Sequence, residues 1–419
     1  DQYRDIIYPG GIPNTTTFVS AWAPLLLGQD TLAMAGSDRT SVLASRAADT
    51  AQLMAAQRQH PSYDAYWRDR CIVCSRATVP ILNYGNARDL WPRSAFEIFR
   101  WSRPAGGRLI FNPGGHGSAD PSGFSPYASY GAGQSRLWFD RWLKGIRNGV
   151  DTRAAVEMLT PAGGDLAAFG YNQAKWVGTE SWPAAESTPV DYYLSGGLSD
   201  SNPGIFTLSR QVPYAEAPTP LLPVPTQGIT AGTTAAVTPV AGLQRVDEAQ
   251  SITFETPELT EDVQVNGPVN LRLWAKLATP DAAFVVRVQD VWRNGESNLI
   301  SEGGLLASYR ALDQEKSLYL RGKLVQPFHP MESHEQLVPG QAYPYDIEIW
   351  PIANIFRAGH RIRLTIALQN VVWRANWTPA SALLLHDAQN ASLLRLPVIP
   401  ADRSRDLFVP AGYRRGPGL

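Results

Sequence analysis

Residues 79–117 read VPILNYGNARDLWPRSAFEIFRWSRPAGGRLIFNPGGHG, and this stretch constrains the fold more than any other. It holds two apolar runs, Val79–Tyr84 and Leu109–Phe111, each followed within a few residues by a group able to do acid–base chemistry, Asp89 and His116. A run that is apolar throughout predicts a strand buried on both faces, which is the signature of a parallel sheet. Parallel strands need a crossover between them, usually a helix. Pro92 suits the first helical position, and Ala95, Phe96 and Phe99 follow on one face. A further helix is expected over about Ser135 to Leu143, with Gly145 as its C-cap. The rhythm is βαβα, hence an α/β domain.

The rest of the chain differs in character. Its 419 residues allow two to three domains at about 150 residues each. We divide it into 1–12, a segment of the α/β domain; 13–76, helical; 77–182, the α/β core; and 183–419, all β. Asp38 is a good N-cap for a first helix, and Tyr63–Arg70 reads as a second. Beyond Trp182, strand-like runs recur at Asp191–Leu194, Ser251–Phe254, Val269–Leu277, Phe284–Val291, Leu299–Ala307, Tyr345–Trp350, Ile362–Ala367 and Ser392–Val398. Many short strands with few helices predict a β-sandwich, the jelly roll being the form most often appended to enzymes. Residues 203–243 are rich in Pro, Thr and Gly and read as a long loop.

Bulk properties exclude some functions. A net charge of −1 gives no electrostatic case for nucleic acid or an anionic membrane. No apolar run approaches the ~20 residues of a membrane span. Cys71 and Cys74 form a C-x-x-C without a thioredoxin-like context or further zinc ligands, so they read as a structural pair. The chain starts at Asp1 without Met or a signal-like segment, which predicts processing or a fragment. The compartment is not fixed by these features, with a secreted or periplasmic one favoured over the cytoplasm.

Among the histidines, His60 lies in a loop before Pro61. His329 and His334 sit with Glu332 and Glu335 in the β half without a metal-ligand spacing, and His360 and His386 lie at strand edges. His116 stands apart, flanked by Gly114, Gly115, Gly117 and Ser118, which leave room for a substrate. Asp89 has two readings, an N-cap for the helix at Pro92 or a carboxylate that orients the His116 imidazole. No metal or cofactor is called for. The missing part is a nucleophile: no Gly-x-Ser-x-Gly elbow exists. Ser20, Ser37, Ser41, Ser45, Ser62 and Ser75 lack the strand–turn–helix pattern, and Gly197-Leu198-Ser199-Asp200-Ser201 comes after the histidine.

These residues resemble the serine hydrolases of the cocaine-esterase, X-Pro dipeptidyl-peptidase, α-amino-acid ester hydrolase and glutaryl-acylase group. The resemblance rests on Asp1-Gln2-Tyr3-Arg4-Asp5 with Tyr8-Pro9-Gly10-Gly11, on Tyr63–Trp67, and on Val79–Leu82 leading to Asp89. It continues with Asn112–Gly117, Trp138–Gly145, Phe254–Leu259, Gly267-Pro268-Val269, Asp290-Val291 and Leu396-Pro397-Val398. It implies the C-terminal part of an α/β-hydrolase domain with a helical cap, followed by a jelly-roll β-sandwich. It implies Asp89 as triad acid and His116 as general base, with the serine upstream of Asp1 or on a partner chain. Arg88, Trp91, Gly114 and Gly115 become candidate pocket residues. Ala87-Arg88 and Gly114-Gly115 stand where the group usually has aromatics, which implies a differently shaped pocket, and Leu90-Trp91 disfavour amino-ester specificity. The expected partners are an N-terminal hydrolase fragment and a small ester, amide or peptide substrate; a homo-oligomer is allowed. The alternative is a non-catalytic β-sandwich binding or assembly protein with a relic hydrolase domain.

Overall fold

The computed structural model describes residues 2–14, 38–71, 77–89, 91–115, 126–163, 174–222, 248–249, 251–368 and 380–404. The chain opens with a π-helical turn, Gln2–Ile7, and a 3₁₀ turn, Pro9–Gly11. Gly10 sits at φ 61°, where a Cβ would collide with the carbonyl of Gly304. Tyr3, Ile7, Tyr8 and Ile12 are all buried in the main core. Helix α1 spans Asp38–Gln59 and α2 spans Ala65–Arg68. The second is shorter than expected because the Tyr63 amide donates to Met331 O at 2.7 Å, tying the chain to the β half, and Asp64 then caps the turn from Trp67 N.

The α/β part consists of β1 (Leu82–Arg88), α3 (Pro92–Ser102), β2 (Arg108–Gly115), α4 (Pro126–Lys144), β3 (Val156–Thr160) and β4 (Lys175–Thr179). The sheet order is β1-β2-β3-β4, with β1, β2 and β3 parallel and β4 antiparallel to β3. Strand β1 starts three residues later than Val79, which is 62% exposed. Pairing begins at Leu82↔Arg108, where the Arg108 guanidinium is anchored on the carbonyls of Val150 and Ala154. Strand β3 escapes a hydrophobicity reading because it carries Glu157, whose buried carboxylate is met by Arg153 at 2.6 Å. Helix α3 lays Ala95, Phe96 and Phe99 on Leu109, Phe111, Val156 and Met158. The opposite face of the sheet buries a smaller cluster of Ile110, Leu159 and Trp176.

The β half contains β5 (Thr188–Leu198), β6 (Phe206–Ser209), β7 (Thr219–Leu221), β8 (Ile252–Glu255), β9 (Val263–Leu277), β10 (Ala283–Val291) and β11 (Ser297–Leu306). It continues with β12 (Leu318–Leu320), β13 (Lys323–Gln326), β14 (Ala342–Phe356), β15 (Arg361–Ala367), β16 (Ala382–Leu385) and β17 (Leu393–Val398). Each of the eight runs expected from alternation falls on one of these strands. The expected loop over 203–243 is corrected: it contains β6 and β7, while 223–247 lie outside the described residues. The pairing order β14-β11-β10-β15-β8-β6-β5-β17-β9 closes on itself, because the long β9 pairs with both β17 and β14. The ring encloses a core with Phe254, Phe284, Tyr345 and Phe356, and β16 and β7 extend it from β9. β10 is buried along its whole length. The chain is thus α/β and then all β, as composition and pattern implied.

Candidate active site

Asp89 comes directly after β1, half-buried, with its amide donating to Asn86 O at 3.2 Å. The N-cap of α3 is Trp91, without a side-chain cap bond. The N-cap position of α3 is thus taken by Trp91 and not by Asp89. Strand β2 ends at Gly115, which pairs with Arg88, the residue before Asp89. Between Asn86 and Arg88 the register slips, since Asn86 pairs with Asn112 and Arg88 with Gly115. Such a bulge bends the strand and re-aims the side chains beyond it. His116 lies outside the described residues, as does the side chain of Arg88. Trp91 and Gly114 are half-buried beside Asp89 and at the end of β2.

The first turn of α3 is held from two directions. Arg93 donates from Nε to both Glu348 carboxylate oxygens at 3.0 Å and from Nη1 to Asp5 Oδ1 at 3.0 Å. Ser94 Oγ donates to Asp5 Oδ2 at 2.6 Å. Glu348 also accepts from Gln326 at 2.7 Å, and Gln326 reaches Glu97, which pairs with Arg100. Side-chain exposure is 6% for Arg93, 1% for Asp5 and 15% for Glu348. Burial pushes the Asp5 carboxyl up, but the cationic and hydrogen-bonding groups around it, Arg93 foremost, outweigh it and hold it below the usual range. Burial dominates at Glu348, which stays raised despite Arg93. Nothing local in the sequence announces this cluster, because its members come from the N-terminal turn, α3, β13 and β14.

The other candidates are occupied structurally. His60 Nδ1 pairs with Asp64 at 2.6 Å and the ring stacks on Tyr66. His329 is buried between the carbonyls of Ala311 and Asp346, and His334 meets Ser308 and Tyr309. His360 pairs with Asp290 at 2.7 Å; His386 lies between Glu216 and Thr219. Ser199 and Ser201 donate to Glu255 and form no elbow. Among the described residues no group of three His, Cys, Asp or Glu is placed to hold a metal ion, and no helix is long and apolar enough to cross a membrane. Cys74 lies outside the described residues.

Comparison with known proteins adds to this geometry. Cocaine esterase of a Rhodococcus species is 25% identical over 242 residues, which is 56% of this chain and 37% of that protein. A CocE/NonD family hydrolase from Staphylococcus aureus superposes with a TM-score of 0.70 at 19% identity, covering 96% of this chain and 66% of that one. An aminopeptidase from a marine sediment archaeon gives 0.71 at 16% identity, covering 96% of this chain and 71% of that one. The chain spans less than half the length of the curated relatives it matches. The fold is that of an α/β-hydrolase domain joined to a C-terminal β-sandwich domain. Residues 1–118 match X-Pro dipeptidyl-peptidase of the S15 family, and residues 148–384 match the X-Pro dipeptidyl-peptidase C-terminal non-catalytic domain. The latter match spans more than half of the sequence, and by it the chain belongs to the family of the X-Pro dipeptidyl-peptidase C-terminal non-catalytic domain.

Proposed function

We propose that this chain supplies the acid and the base of a serine hydrolase acting on ester or amide bonds. The observation that carries the reading is the register of β1 and β2. Arg88 pairs with Gly115 on a neighbouring strand, about 5 Å away, and Asp89 and His116 are the residues that follow these two in the sequence. Asp89 would accept from one ring nitrogen of His116 and favour the imidazolium. His116 would take the proton of an attacking serine, return it to the leaving group, and then activate the water that releases the acyl group. Trp91, Arg88, Gly114 and Gly115 would border the acyl pocket. We read the closed β ring as a jelly roll that buttresses this site.

The serine would come from a polypeptide outside these 419 residues. Two features support such a partner. Strand β1 has β2 as its sole neighbour among the described residues. Beside it α4 presents an apolar stripe of Phe139, Trp142 and Leu143, with Leu143 77% exposed and Ile146 exposed just past the helix end, and Ser135 of the same helix meets the Tyr84 hydroxyl at 3.0 Å. An unpaired edge next to exposed apolar surface suits the remainder of a parallel sheet. The test is fluorophosphonate labelling and p-nitrophenyl acetate hydrolysis by the protein assembled with that polypeptide. Labelling that is lost in His116→Ala is expected. No labelling, or full hydrolysis by His116→Ala, would refute the reading and favour a non-catalytic binding protein.

A further inference from the structure

We propose that Glu348, on β14 of the sandwich, and Asp5, in the N-terminal turn, are positioning residues for Asp89, acting through Arg93. The inference rests on the reading of Asp89 as the triad acid. Three residues separate Asp89 from Arg93, and between them the chain must turn from the end of β1 into α3. The β1 side of that turn is fixed by pairing with β2. On the α3 side Trp91 makes no side-chain cap bond, and the Ser94 amide donates to the Trp91 carbonyl at 3.1 Å. The first turn is instead bolted from outside. Arg93 is gripped by two carboxylates and Ser94 by one of them, all within 3.0 Å.

The chemistry of the grip fits placement better than bulk stability. A guanidinium is planar and presents its donors in a fixed fork, so two carboxylates from different directions set its orientation as well as its position. A buried ion pair adds little net stability over apolar residues of equal volume, so its contribution here is one of geometry. The surroundings leave little slack. The cavity beside Arg93 and Glu348, bounded also by Arg4, His329 and Trp350, is about 20 Å³, room for one water. A displacement of about 1 Å in a catalytic group can cost about 100-fold in rate. The sandwich thereby takes part in the catalytic geometry of a domain it only adjoins.

The test reads His116 in this chain and needs no nucleophile. The 419-residue protein is labelled with ¹³C-histidine, its six imidazoles are titrated by NMR, and His116 is assigned with His116→Gln. A well-placed Asp89 carboxylate keeps the imidazolium to higher pH, so Asp89→Asn lowers the His116 midpoint. Glu348→Gln is expected to give at least half of that downward shift, and Glu348→Asp, which keeps the charge on a shorter arm, a smaller one. Asp5→Asn is read in the same way and serves if Glu348→Gln does not fold. Asp191→Asn cuts the buried pair to Arg395 elsewhere in the sandwich and is expected to leave His116 unchanged. If Asp89→Asn moves His116 and Glu348→Gln and Asp5→Asn do not, the positioning role is wrong while the acid–base pair stands. If Asp191→Asn moves it equally, the effect is general loosening and the positioning role again falls. If Asp89→Asn itself has no effect, the triad reading fails first.

Discussion

Replacing Arg93 by Leu removes one cation from between two buried carboxylates, and the loss should depend on pH. Each carboxylate lies at hydrogen-bond distance from the guanidinium, 3.0 Å between heavy atoms. With about 4 Å between charge centres, each attraction is about 4 kcal/mol in a medium of effective dielectric constant near 20. The leucine recovers part of this, because the cost of burying a guanidinium disappears. Cutting a buried ion pair on one side typically costs about 3–5 kcal/mol, and that is the loss expected at pH 7.5. The orphaned carboxylates can escape by binding protons. Neutralising one with an ordinary unfolded pKa near 4.3 costs about 4 kcal/mol at pH 7.5 and about 1 kcal/mol at pH 5. In the variant the folded pKa values of Asp5 and Glu348 lie above their unfolded values. The variant's stability is therefore intact below about pH 4 and falls as pH rises through the raised folded pKa values. In the parent, Asp5 is held low and contributes the opposite slope, while Glu348 is already raised. The difference between parent and variant must widen with pH, to about 3–5 kcal/mol at pH 7.5 against about 1–2 kcal/mol at pH 5. Urea unfolding at both pH values, tracked by tryptophan fluorescence, measures it; the Trp182 ring lies tilted against Phe96 of α3, 3.9 Å between ring centres, and reports on this region. A loss under about 1 kcal/mol at pH 7.5, or one equal at both pH values, refutes the reasoning.

Asp89→Asn should lower turnover of the assembled hydrolase by about 10⁴-fold, with KM nearly unchanged, because the acid acts on the imidazole and not on bound substrate. Steady-state hydrolysis of p-nitrophenyl acetate checks this, and a change confined to KM contradicts it. Gly85→Val should destabilise the α/β part by about 1–3 kcal/mol, or more if α3 is pushed off the sheet. A Cβ at Gly85 would stand 2.5 Å from that of Ala95, and thermal melts with near-ultraviolet dichroism will reveal the loss. Phe139→Asp with Leu143→Asp should abolish association with the nucleophile-bearing polypeptide while the melting temperature of this chain holds, since both side chains are already exposed. Analytical ultracentrifugation of the mixture decides it, and undiminished association would place the docking surface elsewhere.

Local pattern was sufficient for much of the architecture. Alternation in Val269–Leu277 and continuous apolarity in Phe284–Val291 announce strands because side-chain period and burial are properties of a few consecutive residues. Pro92 ahead of a spaced apolar face announces α3 for the same reason. The order strand, Asp89, helix, strand, His116 already carries the chemical reading. Other features could not be read in that way. Where β1 begins is decided by Arg108 and its grip on Val150 and Ala154, a contact made across more than forty residues. β3 hides behind Glu157, whose charge is tolerable inside only because Arg153 meets it there. The ring of the sandwich closes because β9 is long enough to pair with β14 on one side and β17 on the other. The sequence by itself determined the strongly periodic and continuously apolar strands and the helix that starts at Pro92. Only the tertiary structure decided that Asp5, Arg93 and Glu348 meet at the first turn of α3, since ion pairs between distant segments leave no periodicity and exist only once the topology has brought the segments together.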